Sequence, residues 1–87
     1  MSITGRQLEQ LQRALLSAFP HRGVLSQFVR FRLDENLAVI TGQGSLNEVV
    51  FELIQWAEAQ GRLAELISKA HEENPGNPAL REAAEQP

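Results

Sequence analysis

The sequence predicts an all-α fold, a compact bundle of five to six short helices. Three observations point to it. Apolar residues recur at helical spacing along successive stretches, capping signatures precede two of those stretches, and Pro, Gly and Asn separate them at short intervals. With 87 residues the chain has room for one hydrophobic core, because a second would need upwards of roughly 50 residues of its own. Apolar residues at 43% and charged residues at 22% argue against disorder over most of the length.

The first helix is expected at residues 5–18. Thr4 and Gln7 are spaced as N-cap and N3 of a capping box, in which each side chain can satisfy the other's free backbone N–H. Ile3 and Leu8 hold the positions of a hydrophobic staple around it. Leu8, Leu11, Leu15 and Ala18 then share one face, and Pro20 prevents simple continuation. Val24, Leu25, Phe28, Val29 and Phe31 repeat with a period nearer 3.6 than 2, so a second helix runs to about Leu33. Asp34-Glu35-Asn36 is turn chemistry. Leu37, Val39 and Ile40 follow as a short apolar run, read as a short helix because a lone strand would have nothing to pair with.

Ser45 and Glu48 form the pattern of a second capping box. Leu46, Val49, Val50, Leu53, Ile54 and Ala57 behind it give the central helix a broad apolar face. Adjacent β-branched Val49 and Val50 disfavour an isolated helix, so tertiary burial must hold them there. Phe51 and Trp56 read as core, with an exposed contact role for Trp56 as the sharper alternative. Gly61 is placed as the C′ glycine that ends this helix near Gln60. Leu63, Leu66, Ile67 and Ala70 stripe a fifth helix to about Glu72. Asn74-Pro75-Gly76-Asn77-Pro78 is a turn and a restart, with Asn77 as N-cap and Pro78 at N1. The last helix, to about Ala84, packs Leu80 and Ala83. The domain is drawn at 1–84, with 85–87 as the start of a linker or tail.

The inventory excludes several chemistries. Without cysteine there are no disulfides, thiolate zinc sites or thiol catalysis, which fits a reducing compartment. The N-terminal stretch is polar every few positions, and no apolar run approaches the ~18 residues of a membrane span, so a cytoplasmic chain with no membrane partner is expected. A Ser-His-Asp hydrolase would have to be built from His21 or His71, the sole Asp34, and a serine that lacks a nucleophile-elbow context. Two distant histidines do not make a metal site, and Gly42-Gln43-Gly44-Ser45 lacks the Gly-Lys-Ser/Thr of a P-loop. No catalytic residue, cofactor, metal or small-molecule substrate is expected. One lysine and a pI near 5.3 argue against nucleic acid.

The net charge of −3 hides a division. Residues 1–33 carry five arginines against Glu9 alone, whereas residues 34–87 carry ten carboxylates against Arg62, Lys69 and Arg81. Opposed patches can meet between molecules, steer encounter and select partners. Such a contact is heterologous and can propagate as an open array. The candidate contact residues are Arg13, Arg22, Arg30 and Arg32 on one side, and Glu48, Glu52, Glu58 and Glu65 with Trp56 on the other.

Four blocks carry a resemblance: L-x-x-A-L-L-S-A-F-P from Leu11, F-x-L-D-E-N-L-A-V-I from Phe31, V-V-F-E-L-I-x-W-A-E-A-Q-G-R-L from Val49, and N-P-G-N-P-A-L-R from Asn74. Together they resemble the bacterial effector-associated domains, found beside peptidase, caspase-like, TIR and NACHT-type NTPase modules. The resemblance spans nearly the whole chain. It implies a death-fold-like helical bundle without catalytic residues. It also implies an adaptor role in bacterial conflict and antiviral signalling, through pairing with related domains on other proteins or with itself. A domain that restrains an attached effector in cis is the alternative.

Overall fold

Six helices cover most of residues 4–85, the span that the computed structural model describes: α1 Gly5–Ala18, α2 Arg22–Arg32, α3 Leu37–Ile40, α4 Leu46–Ala59, α5 Leu63–Glu73 and α6 Pro78–Glu85. The expected all-α bundle is what forms. The short apolar run at 37–40 is a helical turn, and α6 reaches Glu85, one residue beyond the expected end. Ile3, the outer half of the expected staple, lies outside the described residues, as do Gln86 and Pro87 of the expected tail.

The helix ends follow local chemistry. In α1 both bonds of the capping box are present: the Gln7 N–H donates to Thr4 Oγ1 (3.1 Å) and the Thr4 N–H to Gln7 Oε1 (3.0 Å). The box expected at α4 is half formed. Ser45 Oγ accepts from the Glu48 N–H (3.3 Å), but the Glu48 carboxylate folds over Gly44, into the space a Cβ there would fill, instead of reaching back to the cap. Asn36 caps α3 by accepting from the Ala38 N–H (3.0 Å), and Asn77 caps α6 by accepting from the Leu80 N–H (3.1 Å). Gly61 at φ +69° closes α4: its N–H donates to the Glu58 carbonyl (3.2 Å) and that of Arg62 to the Ala57 carbonyl (2.7 Å), the paired bonds of a Schellman motif.

Helix α1 packs against α4 and α6. Helix α4 also meets α3 and α5, α3 lies on α2, and α5 lies on α6. Buried Leu11, Ala14 and Leu15 of α1, Leu25, Phe28 and Val29 of α2, Val49, Val50, Leu53, Ile54 and Ala57 of α4, and Leu66 and Ala70 of α5 form one core, closed at the ends by Leu37 and Leu80. Val49 and Val50 are fully buried, so packing does offset their poor helix propensity. Phe19, just past α1, stacks on Phe28 with centroids 4.5 Å apart and joins the first two helices across the Pro20 turn. The radius of gyration, 11.5 Å, matches the value of about 12 Å for a globule of this length.

Three apolar residues expected on core faces are not in the core. Val24 and Phe31 of α2 are 45% and 76% exposed, and Phe51 of α4 is 36% exposed. The buried stripe of α2 is Leu25, Phe28 and Val29; Val24 and Phe31, seven residues apart, fall together beside it. Val39 of α3 is 83% exposed while Leu37 on the same turn is buried.

Candidate interaction site

The fold sorts the candidate residues into those already engaged within the molecule and those displayed on its surface. Arg32, in the last turn of α2, forks onto both Glu72 and Glu73 at the end of α5. The two carboxylates raise its pKa above the ordinary arginine value, the bond to Glu73 being the largest cause. This joins the basic N-terminal half to the acidic C-terminal half within one copy.

A second knot centres on Arg62, between α4 and α5. Its Nε donates to Glu65 Oε1 (2.7 Å), one terminal nitrogen donates to the Leu33 carbonyl at the end of α2 (2.9 Å), and the other lies 3.6 Å from a Glu35 oxygen. The guanidinium also sits 5.3 Å from the centre of the Trp56 ring. The bond to Glu65 raises the Arg62 pKa, and the same bond holds the Glu65 carboxyl below its ordinary range. Trp56 is therefore half-buried under Arg62, and Glu65 is occupied by it. Glu58 is half-buried and also makes a contact within the molecule.

Of the remaining candidates, Arg13, Arg30 and Glu48 are exposed, and Arg22 and Glu52 are half-buried. Arg13 pairs with Glu9 one turn away (2.7 Å), and Arg30 with Asp34 (3.8 Å); both pairs are exposed and on a helix surface are worth little. Arg22 reaches the Gly42 carbonyl (3.4 Å). Glu48 and Glu52, one turn apart on α4, flank Phe51. With Gln12 and Asn47 these three line an open groove of about 370 Å³ between α1 and α4. The Gln12 amide donates across that groove to the Asn47 carbonyl (2.9 Å). Among the described residues no set of three or more His, Cys, Asp or Glu is grouped to hold a metal ion, and no helix is long and apolar enough to cross a membrane.

The family model for effector-associated domain 1 matches residues 1–87, the whole chain. This chain belongs to that family. No curated protein and no solved structure matches the sequence. Effector-associated domain 1 is not a known catalytic family.

Sequence reasoning missed two parts of that surface. The sequence assigns Arg62 no contact role, although its place directly after the C′ glycine, six residues past Trp56, puts it beside the ring and the start of α5. The exposure of Phe31 and Val24 is the second. A helical wheel of α2 sets Phe31 and Val24 at the margin of the Leu25–Phe28–Val29 stripe, so the signal was present in the spacing.

Proposed function

We propose that this effector-associated domain is a cytoplasmic adaptor without catalysis of its own. It joins the protein that carries it to others bearing like domains, and so couples sensors or NTPases to effectors in bacterial conflict and antiviral signalling. The observation that carries this reading is the match to the effector-associated domain 1 family over residues 1–87. The surface supports it: Arg13 and Arg30 are exposed on α1 and α2 and Glu48 on α4, with Arg22 and Glu52 half-buried, so each copy offers both members of a complementary pair.

Sedimentation of the domain tests this directly. Self-association, or binding to a like domain, is expected at low salt, and it weakens as salt screens the exposed charges. A chain that stays monomeric at every concentration and ignores like domains, but inhibits an effector enzyme when added in trans, would replace the adaptor with a restraint on that effector.

A further inference from the structure

We propose that copies of this domain join head to tail, with Phe31 of one copy seated in the α1/α4 groove of the next and Arg30 facing the Glu48 and Glu52 carboxylates there. This rests on the adaptor reading and names its contact. Lone exposed apolar side chains are ordinary, but Phe31 is 76% exposed, shares its stripe with Val24 at 45%, and belongs to a residue type rich in contact energy when buried at an interface. The groove has the opposite character. Phe51 gives it an apolar wall, and Glu48 and Glu52 pair with no cation among the described residues. Arg30 is free to exchange, since its bond to Asp34 is long and exposed.

One copy cannot satisfy both surfaces by itself. Arg22, at the start of α2, bonds the Gly42 carbonyl, and a Cβ on Gly42 would meet Glu52 Oε1 at 3.9 Å, so the groove's edge adjoins the N-terminal end of α2. Phe31 lies nine residues further along that helix, about 13 Å away at 1.5 Å per residue. A knob and a groove at separate places on one molecule make a heterologous contact, which extends beyond a dimer unless rotation closes it.

The test is sedimentation of the 87-residue chain and two variants, Phe31→Ala and Glu52→Arg, with circular dichroism melts to show that each is folded. Wild type is expected to grow past dimer with concentration. Each variant alone weakens association by roughly tenfold or more, because one lacks the knob and the other the groove. An equimolar mixture of the two forms a 1:1 dimer that grows no further, through the one intact knob and the one intact groove. If wild type assembles and Phe31→Ala assembles equally well, the contact lies elsewhere and the adaptor reading stands. A wild type that is monomeric throughout and binds no like domain overturns both.

Discussion

Gly61 and Gly23 show how one residue type is used in two ways. At φ +69° Gly61 holds a backbone conformation that L residues resist, and open space surrounds the place its Cβ would take. Gly61→Ala therefore tests the backbone alone, and is expected to cost about 1 kcal/mol as a lower urea midpoint. Gly23, the second residue of α2, is equally unobstructed, with no positive φ to preserve. Gly23→Ala is expected to raise the midpoint, by up to about 0.5 kcal/mol at this first-turn position, because alanine loses less backbone entropy on entering a helix. The opposite signs from one substitution type are the check. Among the described residues, Asp34, at φ +56°, is the non-glycine residue in the left-handed region, where a short polar side chain is tolerated after the end of α2.

Helices α1 and α4 have the same length and similar start signals, yet different supports. The Thr4 box satisfies two backbone donors, whereas Ser45 satisfies one through a longer bond. Thr4→Ala should cost about 1 kcal/mol, and Ser45→Ala nearer 0.5 kcal/mol. Amide exchange separates local from global effects: the first turn of α1 should open readily in Thr4→Ala, while α4 stays protected in Ser45→Ala because five of its residues are buried. The Glu48 carboxylate near the α4 N-terminus adds a favourable interaction with the helix dipole, so losing its half of the box leaves it a role at that end.

Across the whole molecule, Arg62 ties the end of α2, the Trp56 face of α4 and the first turn of α5 to one side chain. Its bond depresses the Glu65 pKa. A depressed carboxyl contributes stability that is fully present above its unfolded value, near 4.3, and is lost as pH falls through the lower folded value. Stability should therefore begin to fall below about pH 5 and continue to fall below the ordinary carboxylate range, and Glu65→Gln should flatten that part of the profile in urea midpoints measured against pH. A slope unchanged in Glu65→Gln would show that other carboxylates carry it. The raised arginine values act in the opposite direction, at strongly alkaline pH beyond the range in which the domain would be studied.

The set of helices and most of their ends follow from short-range chemistry. Thr4, Pro20, Gly61, Asn77 and Pro78 act through backbone bonds and torsions within a few residues, so their consequences are local and readable. The core faces of α1, α4 and α5 were readable for a related reason, since a period of 3.6 places Leu11 with Leu15 and Leu53 with Ala57 wherever the helix goes. Membership of the effector-associated family was legible in the four blocks, whose order and spacing run nearly the full length. Which charges remain at the surface depends on how the helices pack. Arg32 meets Glu72 and Glu73 across about forty residues, and Arg62 meets Leu33 across 29, distances over which no local rule operates. The same packing decided that Phe31 stays outside and Phe51 opens onto a groove, because the neighbour that would cover an edge residue is chosen by how the helices cross.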